Sequence, residues 1–172
     1  AGVPTVRDLG APRSTPYLSH RNTWRAQPQF ARVVAAGPLV TVPGGYPESR
    51  TFPALTVTSP DDARQKVTTL IDRGADVIKI TLESTAGPIL SPEEAAAIVQ
   101  AAHQRGIPVS THVTRAADLE RALDAGVDDI AHIAVDPVSD EVIQRMVEEG
   151  VSWVPTLTAL QGLGSGILRR RG

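Results

Sequence analysis

The chain has 172 residues, 41% hydrophobic and 21% charged, which suits one globular domain with a sizeable core and excludes a disordered or collagen-like chain. A formal net charge of −2 gives no ground for a nucleic acid or an anionic membrane as partner, and the lack of cysteine excludes a disulfide framework and a thiolate zinc knot. No apolar run approaches the roughly 18 residues of a membrane span, and AGVPTVRDLG has no signal-peptide layout. The compartment is left open, with the cytoplasm the favoured expectation.

In chain order, VPTVRDL (3–9) and FARVVAAG (30–37) read as two β-branched strands. The stretch from Gly37 to Ser59 is rich in Pro and Gly and reads as a long loop. Beyond it one layout repeats: a polar cap opens a helix, a glycine closes it, and a short apolar run follows. Ser59-Pro60-Asp61-Asp62 opens the first such helix, with proline at its first position and acids at the positive end of the dipole, and Gly74 closes it. Ser91-Pro92-Glu93-Glu94 repeats the device as a capping box closed at Gly106. Thr114 reads as the cap of a third helix ending at Gly126, and Ser139 opens a fourth ending at Gly150.

The runs after the closing glycines are DVIKI (76–80), IPVSTHV (107–113), VDDIAHI (127–133) and VSWVPTL (151–157). They read as strands covered on both faces, and their alternation with helices predicts a parallel sheet built by right-handed crossovers. The expectation is an α/β chain, residues 1–172 forming one incomplete barrel domain of about six parallel strands with flanking helices. A closed (β/α)8 barrel has eight strands.

Three residues suited to metal binding recur in successive units. Lys79 follows Gly74 by five positions, and His112 and His132 each follow their closing glycine by six. Each is placed toward the C-terminal end of its strand, where parallel α/β folds build their sites. A single histidine there is more often a hydrogen-bonded core residue. A buried lysine needs an acid partner or a task, because an unpaired ammonium is costly to bury. Three at matched positions favour a site. His20 and His103 lack that placement and read as solvent-exposed. Asp8 reads as a ligand, an orienter or a loop cap. Tyr46, after Gly44 and Gly45, reads as a substrate neighbour, with tight-turn geometry an equal explanation. Arg169, Arg170 and Arg171 read as a solvated basic end.

The order TVRDLG (5–10), GPLVTVPGG (37–45), GADVIKI (74–80), VSTHV (109–113), AGVDDIAHI (125–133) and VSWVPTLT (151–158) resembles the amidohydrolase superfamily, in its imidazolonepropionase-like and prolidase-like branch. The resemblance implies a (β/α)8 barrel with one or two divalent ions, zinc foremost, and hydrolysis of a C–N bond in an amide, a cyclic amide or a dipeptide. It implies that Lys79 becomes carboxylated and bridges metals, with His112 and His132 as ligands. It covers strands two to seven of such a barrel. The family's first-strand His-x-His pair has no counterpart here, and GLGSGILRRRG holds no acid for the eighth-strand aspartate. The expectation is therefore a fragment or subunit, inactive alone, that associates with the missing strands or another chain. Two other readings stand beside it: a non-catalytic scaffold or half of an obligate complex, and a Schiff-base barrel in which Lys79 attacks a carbonyl.

Overall fold

The computed structural model describes residues 2–158, so the basic run at Arg169–Arg171 lies outside the described residues. The chain runs β1 (Thr5–Asp8), α1 (Tyr17–Arg25), β2 (Arg32–Ala35), β3 (Val40–Thr41), β4 (Leu55–Thr56), α2 (Pro60–Asp72), β5 (Ile78–Thr81), α3 (Pro92–His103), β6 (Val109–His112), α4 (Ala116–Ala125), β7 (Asp129–Ala131), α5 (Asp140–Glu149) and β8 (Ser152–Val154).

Six strands form one parallel sheet in the order β4-β3-β5-β6-β7-β8, and β1 and β2 form a separate parallel pair. The Asp76 N–H donates to the Ala35 carbonyl at 2.9 Å and ties that pair to the approach of β5. This is the α/β arrangement expected of a partial (β/α)8 barrel. Membership of the sheet differs from the sequence reading. The Pro/Gly-rich stretch expected to be loop contains β3, β4 and a 3-10 turn at Glu48–Arg50. Two-residue strands are too short to carry any alternation pattern, which hides them in the sequence.

The helices form where their caps are. Ser59 accepts from the Asp62 N–H, Ser91 and Glu94 make a reciprocal capping box, and Ser139 accepts from the Val142 N–H. Thr114 does not cap α4: the N-cap is Arg115 without a side-chain bond, and the Thr114 hydroxyl turns to Glu83 instead. Helix α1 was not expected. It opens at Pro16 with no side-chain cap, and its one buried residue is Arg21, so no apolar stripe marks it.

Each core strand has an apolar and a polar face. Val40, Ile78, Ile80, Val109 and Ile130 join Val67, Leu70, Ile98, Leu119 and Leu123 of the helices in one cluster. Each such side chain contributes about 1.5–3 kcal/mol by leaving water. The alternate positions Lys79, Thr81, Ser110, His112 and Asp129 are buried polar residues. Side chains on a strand point to opposite faces in turn, so these five share the face away from the helices. No helix among the described residues is long and apolar enough to cross a membrane.

Candidate functional site

The parallel register sets the polar face out in two layers. Lys79 pairs with Ser110 and Ser110 with Asp129, while Thr81 pairs with His112 and His112 with Ala131, one residue before His132. His112 is the last residue of β6, and His132 follows the end of β7. Lys79 is the second residue of β5, not its end, so it rises from the layer beneath the histidines. Two residues of strand separate the layers by about 6.6 Å, which the four-carbon lysine stem is long enough to span.

In the lower layer the Lys79 ammonium donates to Ser110 Oγ at 3.0 Å, and that hydroxyl donates to Asp129 Oδ1 at 2.6 Å. Arg7 closes the chain with two hydrogen bonds to Asp129, at 2.7 and 3.0 Å. Burial, opposed by Asp129 and assisted by Arg7, lowers the Lys79 pKa to about 7. The amine is therefore substantially neutral near neutrality, and nucleophilic in that form.

In the upper layer the His112 and His132 rings meet edge to face, with centroids 4.5 Å apart and planes at 67°. Burial first, then His132 and Lys79, lowers the His112 pKa to about 4. Burial and Lys79 also hold His132 below the ordinary imidazole value. Both rings are neutral at pH 7 and carry lone pairs that can bind a metal. His132 Nδ1 lies 2.9 Å from Thr156 Oγ1, and its backbone takes a positive φ of 75° while its carbonyl accepts from Trp153. The ring is held in place from both its nitrogen and its main chain.

Glu83 stands 3.4 Å from His112 Nε2 and accepts from the hydroxyls of Thr85 and Thr114. Burial works against its carboxylate, but those hydroxyls and His112 more than offset it and keep its pKa below the ordinary value. Glu83 lies just past β5 in ITLEST, outside any spacing pattern, and the sequence reading did not single it out. Nor did it single out Arg7, Ser110 or Asp129, which are sequence-distant residues joined only by the fold.

Tyr46 joins the site. Its ring stacks on His112 with centroids 4.5 Å apart, and its carbonyl accepts from Thr81 at 2.5 Å. Gly45 makes this approach possible, since a Cβ there would lie 2.5 Å from Thr41 Oγ1 and 2.7 Å from the Pro88 carbonyl. Of the three readings of Asp8, the structure shows the loop cap: its carboxylate accepts from the Gly10 N–H at 3.0 Å. His20 and His103 are exposed as expected, the latter paired with Asp128 at 2.9 Å.

Among the described residues no three histidine, cysteine, aspartate or glutamate side chains meet in a metal-ligating group. Two neutral imidazoles over a neutral lysine amine fit a divalent ion once the lysine carries an anionic oxygen donor.

The sequence matches the amidohydrolase family profile over residues 1–169. Among solved structures the chain is similar to a Xaa-Pro dipeptidase with methionine bound in its active site, with 30% identity and a TM-score of 0.78, covering 92% of this chain and 43% of that one. It is similar to a prolidase complexed with N-methylphosphonate-L-proline, at 26% identity and a TM-score of 0.74, covering 91% of this chain and 43% of that one. It shares its fold with A. niger ochratoxinase, at 23% identity and a TM-score of 0.81, covering 96% and 44%. The chain thus spans less than half the length of these proteins. No curated protein matches it.

Proposed function

The chain belongs to the amidohydrolase family, and we propose that it carries the central metal-binding strands of a prolidase-like hydrolase acting on C–N bonds of small amides or dipeptides. One observation carries this reading: two neutral imidazoles, His112 and His132, lie edge to face at 4.5 Å above a buried lysine whose pKa is about 7.

In this proposal the neutral Lys79 amine adds to carbon dioxide, forming an N–C bond and releasing one proton. The resulting carbamate replaces a buried cation with an anion bearing two oxygens. Ser110, Asp129 and Arg7 then anchor the base of the site. The carbamate, His112 and His132 would hold a divalent ion, zinc being the expected occupant and manganese, cobalt or iron chemically suited. Such an ion supplies a Lewis acid that polarises a carbonyl and acidifies a water nucleophile. Glu83 orients His112, and Tyr46 forms a wall against which a substrate packs.

Exposed apolar side chains at the margins of the sheets support association with further barrel strands, from the same protein or another chain. Val6 lies in β1 with Val3 and Phe30 beside the β1–β2 pair, and Val154 ends β8 with Leu157 just beyond it. The isolated chain is then expected to show no turnover, and to gain it when those strands are supplied. The lowered Lys79 pKa also suits a Schiff-base lysine, but that chemistry leaves the paired histidines without a task. Borohydride trapping with a carbonyl compound separates the two.

The test is metal content per chain by elemental analysis, after purification with zinc and bicarbonate, for wild type and His112→Ala. Near-stoichiometric metal lost in the variant supports the site. No metal in either form refutes it.

A further inference from the structure

A recess lies away from the histidines, between α1 and α2, and shares no residue with the candidate site. Its volume is about 650 Å³, within the range of small-molecule pockets. Leu18, Leu55 and Leu70 supply apolar wall, and Arg13, Lys66 and Arg73 supply charge. Among the described residues no carboxylate lines it. Lys66 is held by Asp62 at 2.8 Å and by the Thr56 carbonyl at 2.7 Å. Arg13 and Arg73 make no ion pair among the described residues, as is also true of Arg32, Arg50 and Arg115, whereas Arg21, Arg25, Arg105 and Arg145 each close on a carboxylate.

We propose that this recess binds a small organic anion, with a carboxylate or phosphate head between Arg13 and Arg73 and a short apolar body against Leu18, Leu55 and Leu70. Arg13 and Arg73 thus bring two guanidinium groups, without acid partners among the described residues, to one concave and partly apolar wall. An anion there takes the forked hydrogen bonds guanidinium offers. The concavity raises the local potential above that of a flat surface. The apolar wall selects against fully hydrated inorganic ions. This site does not depend on the metal reading, and it survives if that reading fails.

Phenyl phosphate is the probe, titrated calorimetrically into wild type, Arg13→Ala/Arg73→Ala and Gln65→Glu, with phenol as the neutral control. Arg13, Arg73 and Gln65 are exposed, and thermal melting checks that both variants fold. Saturable binding to wild type is expected, weakened about tenfold or more in each variant, with phenol weaker by a similar factor. Gln65→Glu keeps the side-chain volume and adds one carboxylate to the lining, so it reports charge without removing a residue. Absence of saturable binding overturns the proposal, as does equal affinity in wild type and both variants. Phenol binding as tightly as its phosphate overturns it too.

Discussion

Arg7 and Asp129, 122 positions apart, meet in a two-pronged ion pair that joins the β1–β2 ladder to β7 of the main sheet. Asp129 is buried, while Arg7 keeps 34% of its side chain in solvent. Arg7→Met removes the cation and leaves the carboxylate buried. Breaking a fully buried pair costs about 3–5 kcal/mol, and the exposure of Arg7 reduces the expected loss here to about 2 kcal/mol. Urea denaturation checks it: the midpoint falls with the slope unchanged. An unmoved midpoint would show that the pair contributes nothing to holding the ladder.

Asp76 gives the fold an acid-sensitive joint. Burial alone would raise its carboxyl pKa, but the Ala35 N–H and the guanidinium groups of Arg25 and Arg21 more than offset this and hold it below 3.8. A carboxylate with a depressed folded pKa contributes stability that is fully present above the unfolded value. That stability is lost as pH falls through the folded value. The protein is therefore expected to lose stability below about pH 4, and Asp76→Asn to flatten that acid limb. At pH 7 the same variant removes the carboxylate that pairs with the buried Arg21, leaving it the Gly74 carbonyl and Asn22, and lowers stability by about 2 kcal/mol. Denaturant midpoints from pH 2.5 to 7 read both effects. Parallel acid limbs in the two proteins would exclude Asp76 as the cause.

Gly45 is where backbone sterics reach the site. Gly45→Ala drives a Cβ against the Pro88 carbonyl, which is backbone and cannot swing aside. A loss of about 1–3 kcal/mol is expected, with Tyr46 displaced from His112. Gly106→Ala is the contrast. Its Cβ meets nothing within 4 Å, and only the positive φ of 66° is strained, at about 1 kcal/mol. Melting temperatures should rank Gly45→Ala below Gly106→Ala, and the reverse order would discount the close approach.

The repeating cap–helix–glycine–strand units after Pro60 were legible because each boundary carries a local chemical mark: Ser59, Ser91 and Ser139 at the starts, Gly126 and Gly150 at the ends. Lys79, His112 and His132 could be singled out because they follow Gly74, Gly106 and Gly126 at nearly constant spacing. What stayed hidden depends on tertiary pairing. Arg21 buries itself in α1 only because Asp76 and the Gly74 carbonyl wait for it. The hydroxyl of Thr114, read as a helix cap, is taken by Glu83. Ser110 reads as an ordinary strand residue until Lys79 and Asp129 are placed on either side of it.

Glu83 tests whether the acid beside His112 belongs to the proposed metal centre. Its carboxylate reaches His112 Nε2 at 3.4 Å and is itself fixed by Thr85 and Thr114. Carboxylates that orient a metal-ligating histidine typically change affinity about tenfold to a hundredfold when replaced. Glu83→Gln keeps the volume and removes the charge. With zinc and bicarbonate present, the variant is expected to bind zinc about tenfold to a hundredfold more weakly in competition with a chromophoric chelator. Its melting temperature without metal should stay near that of wild type, because one of the two threonine hydroxyls can still donate to the amide oxygen while the other turns to accept from the amide NH2. A variant that matches wild type in zinc affinity would confine Glu83 to a structural role. A fall in metal-free melting temperature alongside weaker binding would instead trace the loss to a disturbed loop after β5.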